Sequence, residues 1–189
     1  GVQCAVAEGP TRRVATPGSD DRFVSPALDA AHAPPGTYTF TPWNPVDAPY
    51  KVGLGGSAAA TVAAVAAGLW ARRASLDPAD AVPDPDDLFP VARRVHARVQ
   101  GSGSGIDVAA STYGGLLRYR PDAPEPLAAP GWRPVLIWSG ASAKTGPRVE
   151  RYQRWEHRRR FVDESEALVD AFPREPVRVM RQARRLLEA

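Results

Sequence analysis

One stretch limits the folds open to this chain more than any other. In KVGLGGSAAATVAAVAAGLWARR, residues 51–73, three glycines lead without a break into an Ala-rich run. Alanine is the best helix former and no proline intervenes, so the run predicts a helix from about Ser57 to Arg73. From Val52 to Ala71 there is no charged residue, and the length alone would let the stretch cross a bilayer. It is built of Gly and Ala with Ser57 and Thr61, however, and is poor in Leu, Ile and Phe, which argues against a membrane span. Its small side chains instead suit a helix seated tightly against its neighbours.

Gly53, Gly55 and Gly56 allow the backbone before this helix to take positive φ and to come close to a ligand. A helix N-terminus presents unpaired N–H groups and a partial positive charge, which suits a polyphosphate. The plainer alternative is a glycine turn with Ser57 as an N-cap, a role worth about 1 kcal/mol. Three glycines in four positions exceed what a cap requires. No GKS or GKT follows, which excludes the Walker pattern, and GxGxxG is absent in proper form.

The rest of the chain alternates strands and helices. GVQCAVAE and TRRVAT read as short strands around Gly9-Pro10, and Thr37 to Trp43 as a third. Ser25-Pro26 predicts a short helix through Ala31, with Ser25 as its cap. The acidic loop Asp77 to Asp87 is expected to cap a helix from Leu88 to about Gln100 with its last Asp residues. A helical turn and a strand at Leu116 to Tyr119 follow, then a Pro-rich linker over residues 121–133. PVLIWSG reads as a buried strand, and Thr145 to Phe172 as mostly helix. The last stretch, from Glu175, places Val179, Met180, Ala183, Leu186 and Leu187 on one helical face.

The segment GSGSGIDVAASTYGG, beginning at Gly101, carries one carboxylate, Asp107. It reads either as a flexible linker or as a substrate rim anchored at both edges. His96, alone on a partly apolar helix face, reads as a packed or surface residue, because a metal site needs several convergent ligands. After the PVLIWSG strand, Ser139, Ser142, Lys144, Thr145 and Arg148 form a cluster suited to phosphate or carboxylate, or simply a polar loop capping the next helix. Arg151, Arg154, Arg158, Arg159 and Arg160 form a basic run whose aromatic neighbours are spaced for packing rather than for stacking bases, so it reads as a solvated helix face.

Composition adds boundaries. With 189 residues, 43% hydrophobic and 24% charged, the chain can bury a substantial core. A net charge of +3 is too small to imply nucleic acid or membrane as partner. The single cysteine, Cys4, excludes an internal disulfide and favours a reducing, cytoplasmic setting. The N-terminus lacks the pattern of a signal peptide.

KVGLGGSAAAT is similar to the GLGSSAA motif of the GHMP kinase superfamily (galactokinase, homoserine kinase, mevalonate kinase, phosphomevalonate kinase), with Gly56 in place of the first serine. GSGSGIDVAASTYGG resembles the phosphomevalonate kinase form of a second superfamily segment, whose mevalonate kinase counterpart resembles GNPSGVDNAVSTWGG. The resemblance implies that Gly53, Leu54, Gly55, Gly56, Ser57 and Ala58 bind ATP phosphates, with Ser57 also near Mg²⁺. It implies that Asp107 is the catalytic residue beside the acceptor, in company with Ser104 and Gly105. Ser142, Lys144, Thr145 and Arg148 correspond to a loop that faces the acceptor's phosphate. Mevalonate kinases carry a metal-binding glutamate eleven residues before the aspartate; this chain has His96 there, as phosphomevalonate kinases tend to.

The implied fold is two-lobed α+β. A first lobe, residues 1–120, contains a βαβ unit of the rare left-handed kind. A ferredoxin-like second lobe spans residues 134–189. Against the family pattern, a PGxxxLxGE-like opening and a GAGGGG-type closing loop are missing. The implied reaction is ATP- and Mg²⁺-dependent phosphorylation of a small phosphorylated acceptor, phosphomevalonate, in isoprenoid precursor synthesis. A mevalonate or sugar kinase, or a non-catalytic nucleotide-binding remnant, stands as the alternative.

Overall fold

The computed structural model describes residues 1–42, 53, 55–74, 82–101, 103–121, 123–133, 135, 137 and 145–188, with residues 145–148 in backbone only. Most of the expected PVLIWSG strand, and Leu54, Ser142 and Lys144, lie outside the described residues, as does most of the acidic loop before Asp84. The chain divides into two compact units, Gly1–Leu127 and Ala128–Ala189.

The first unit opens with β1 (Val2–Ala7) and β2 (Arg13–Ala15), then α1 (Val24–Ala30) and β3 (Thr37–Pro42). Val2, Cys4 and Val6 alternate onto the core face of β1, the period-two signature of a half-buried strand. The two N-terminal strands do not pair with each other. β3 lies between them, antiparallel to β1 and parallel to β2, so β2–α1–β3 forms a βαβ unit. In register, Cys4 faces Phe40 and Val6 faces Tyr38. Tyr38 is fully buried, and its hydroxyl donates to the Pro34 carbonyl at 3.0 Å. Burial pushes the Cys4 thiol up to about 11.

Ser25 does not cap α1. Phe23 occupies the cap position, and the Ser25 hydroxyl, one residue inside the helix, donates to the Asp21 carboxylate at 2.6 Å. The long helix α2 (Gly56–Ala74) is the centre of the unit, packing against α1, β1, α3 (Pro85–Gln100) and α4 (Ile106–Tyr113). Its small residues make this possible. Ala58, Thr61, Ala64, Val65, Ala67 and Gly68 are all buried. Gly68 is required by contact: a Cβ there would stand 2.7 Å from the Ala31 Cβ, nearer than real carbon atoms approach.

The cap of α3 is Asp84, not a later aspartate: its side chain accepts from the Asp86 N–H at 2.8 Å, Pro85 fills the first turn, and Gly101 closes the helix in the left-handed region. Arg73, in the last turn of α2, pairs with Asp87 at 2.7 Å. Tyr113, at the end of α4, donates to Asp86 at 2.8 Å, and burial together with that acceptor pushes its phenol up to about 12. The short strands β4 (Leu116–Arg118) and β5 (Glu125–Leu127) pair antiparallel, so part of the Pro-rich stretch after Pro121 is strand.

In the second unit the described residues form α5 (Thr145–Gln153), α6 (Arg158–Val169) and α7 (Pro176–Glu188), and no strand. Tyr152, Trp155 and Phe161 make an aromatic cluster, with the Trp155 and Phe161 centroids 5.5 Å apart. On α7 the expected apolar face is narrower than its spacing implied. Val179 is buried, whereas Met180 and Leu187 are more than half exposed. Arg151, Arg154, Arg158, Arg159 and Arg160 are exposed. No helix among the described residues is long and apolar enough to cross a membrane.

Candidate functional site

The backbone before α2 bends as its glycines allow. Gly53 and Gly55 take φ of 79° and 70°, values that cost a side-chain-bearing residue strain. Gly56 is already helical, and the Ala59 N–H donates to the Gly55 carbonyl at 3.0 Å. Ser57 therefore sits inside the first turn and is not the cap. Its hydroxyl points to another helix, while the N–H groups of Gly56, Ser57 and Ala58 are the donors that a helix start leaves without an intrahelical acceptor.

A second helix start lies close by. Gly105 holds the left-handed cap position of α4 at φ 83° and is buried. A Cβ at Gly105 would come within 3.1 Å of the Tyr119 hydroxyl and 3.2 Å of the Arg93 side chain. Tyr119 donates to the Ser104 carbonyl, and Arg93, which donates to the Pro121 carbonyl, lies against Gly105. Asp107 stands in the first turn of α4, where a carboxylate is favoured by the helix dipole, with Oδ1 accepting from the Val108 N–H at 3.0 Å.

The two helix starts meet at His96 of α3. Its Nε2 lies 3.3 Å from the Ser57 Oγ and 3.8 Å from the Asp107 Oδ2. The imidazole is 4% exposed and the Asp107 side chain 38%, so the cluster has a dry floor and a wet rim. Phe23 stacks on the imidazole with centroids 5.3 Å apart and planes inclined by 28°.

The structure thus joins the two motifs read from sequence: Ser57 of the glycine loop and Asp107 of the glycine–serine segment face one imidazole nitrogen. Ser104 and Gly105 lead directly into the same helix. Gly53 is exposed just ahead of α2. Thr145 and Arg148 fall on α5, in the second unit. Two residues at the cluster were not read as part of it. From sequence His96 reads as a packed or surface residue. It is indeed buried, but against the two residues expected to do the chemistry. Phe23 carried no sequence signal at all.

Oxygen donors at the cluster are the Ser57 hydroxyl and the Asp107 carboxylate, and no group of three or more His, Cys, Asp or Glu side chains gathers among the described residues. That set fits Mg²⁺, which takes one or two protein oxygens and is completed by phosphate and water, better than it fits a metal held wholly by protein.

Residues 45–115, less than half of the chain, match the family model described as GHMP kinases N terminal domain. This supports the GHMP kinase superfamily. The matched segment holds both helix starts, all of α3 and Asp107, so the family match and the cluster rest on the same residues. Helices together with small sheets are consistent with a GHMP kinase N-terminal domain of α+β class. Such a domain points to a small-molecule kinase using ATP and Mg²⁺. Comparison with curated proteins and with solved structures gives no match.

Proposed function

We propose that the chain transfers the γ-phosphoryl group of ATP to phosphomevalonate, with the ATP phosphates at Gly53–Ala58 and the acceptor beside Asp107. The observation that supports this reading is the meeting of the α2 and α4 starts at His96, a helix start of the kind that suits polyphosphate beside a partly exposed carboxylate.

Phosphoryl transfer asks mainly for alignment and charge neutralisation. The free N–H groups of Gly56, Ser57 and Ala58 would orient the phosphate chain through donors fixed before binding. Mg²⁺, held on one side by Ser57 and Asp107, would supply neutralisation of the phosphate oxygens when bound. Ser104 and Gly105 would form the rim against which the acceptor rests. An acceptor that is itself a phosphate monoester is largely ionised near neutral pH, since its second pKa is about 6. Asp107 would then orient the acceptor and hold cations more than remove a proton. The choice of phosphomevalonate rests on GSGSGIDVAASTYGG and on His96 at the position of the mevalonate kinase glutamate.

ATP turnover measured side by side with phosphomevalonate, mevalonate and galactose tests the reading. Turnover is expected with phosphomevalonate alone. Turnover with mevalonate or galactose instead would replace the substrate, and ATP binding without any turnover would leave a nucleotide-binding remnant.

A further inference from the structure

The kinase reading uses Ser57 and Asp107 but gives His96 no task. We infer that His96 is a positioning residue, one that fixes the Ser57 hydroxyl at the mouth of the α2 start and keeps the Asp107 carboxylate on the same side. This inference rests on the reading of the cluster as the nucleotide site.

The argument begins with burial. A polar ring that is 4% exposed loses its water and is costly to bury unless its nitrogens are satisfied by protein. His96 Nε2 finds Ser57 Oγ at 3.3 Å, and Asp107 Oδ2 lies just beyond hydrogen-bond length at 3.8 Å. Phe23 covers one ring face and sets its plane, so the nitrogen has little freedom in direction. A serine in a first helical turn would otherwise rotate among staggered positions or turn to nearby backbone. The imidazole selects one of these. Ser57 and His96 are 39 residues apart, so the bond also pins the start of α2 to α3. The groups facing the imidazole from the packed elements are Ser57 from α2, Asp107 from α4 and Phe23 from the cap of α1. Asp107 is the only charged one among them.

The test compares wild type with Ser57→Ala, His96→Phe, His96→Gln and the Ser57→Ala/His96→Phe double variant. Three properties are read: thermal melting, Mg·ATP affinity by calorimetry, and the imidazole ¹⁵N signal of His96 without nucleotide. Phenylalanine keeps the ring and its stack on Phe23, whereas glutamine keeps a polar atom near the Nε2 position. His96→Phe should weaken Mg·ATP binding roughly five- to tenfold, the scale of one lost hydrogen bond. The double variant should lose no more than Ser57→Ala alone, since His96 acts through the Ser57 hydroxyl and has nothing to position once that is gone. His96→Gln should stay within about twofold of wild type, with His96→Phe melting near wild type. Ser57→Ala should shift the His96 Nε2 signal. Wild-type affinity in His96→Phe, multiplying losses in the double variant, or an unmoved signal in Ser57→Ala would each overturn the inference. If His96→Phe does not fold, the glutamine variant and the ¹⁵N signal decide by the same criteria. Wild type that fails to bind Mg·ATP would overturn the kinase reading and this inference with it, an outcome distinct from binding that ignores His96.

Discussion

Asp107 and His96 stand at one cluster but in different surroundings. The carboxylate is 38% exposed at the start of α4, and the imidazole is 4% exposed beneath it. Removing the first should therefore touch chemistry more than folding. Asp107→Ala gives up one local hydrogen bond to the Val108 N–H and a favourable charge in a first turn, losses of a few tenths to about 1 kcal/mol. Its melting temperature is expected within a few degrees of wild type. Turnover should fall by about a hundredfold or more, the scale of a positioned acid–base or orienting group. A melt that collapses instead would make Asp107 a structural residue. Asp107 and Ser57 were legible because each sits at a fixed offset from glycines whose backbone freedom has a local reason. His96 was not, since its neighbours come from helices far away in sequence, and only packing reveals that its nitrogen faces both motifs.

At the scale of elements, helices were easier to read than their ends. The Ala-rich run forms α2 almost where propensity puts it, at Gly56–Ala74. The start of α1 differs, because Ser25 suits a cap by residue type but bonds to Asp21 from inside the first turn, with Phe23 at the cap position. For α3 the cap proved to be Asp84 followed by Pro85, an arrangement whose chemistry is local. Asp84→Ala should cost about 1 kcal/mol and lower the melting temperature by a few degrees. Asp84→Asn or Asp84→Ser should restore most of it, since those side chains also accept from the second helical N–H. Equal losses in all three variants would show that the charge of Asp84, not its cap bond, matters.

Across the molecule, burial is uneven. Every buried apolar side chain among the described residues lies in Gly1–Leu127, except Val179. Backbone opening there requires exposing shared core, while α5, α6 and α7 have little to expose. Native-state hydrogen exchange should accordingly find its slowest amides on α2 and β3 and much faster exchange on α5–α7. Slow exchange confined to α5–α7 would contradict this order. Strand order was the part of the fold that sequence could not supply. Each strand announces itself by alternation, a property of neighbours in the chain, but the insertion of β3 between β1 and β2 is a matter of which distant backbones meet.

The bare methylene of Gly68 has a reach beyond its own surroundings. It lets the tail of α1 lie directly on the middle of α2, and Phe23 heads that same short helix and roofs the imidazole. Any side chain at position 68 would lever α1 away as a stiff rod, so a steric insult deep in the apolar interior would be felt as a loosened backing behind the imidazole that meets Ser57 and Asp107.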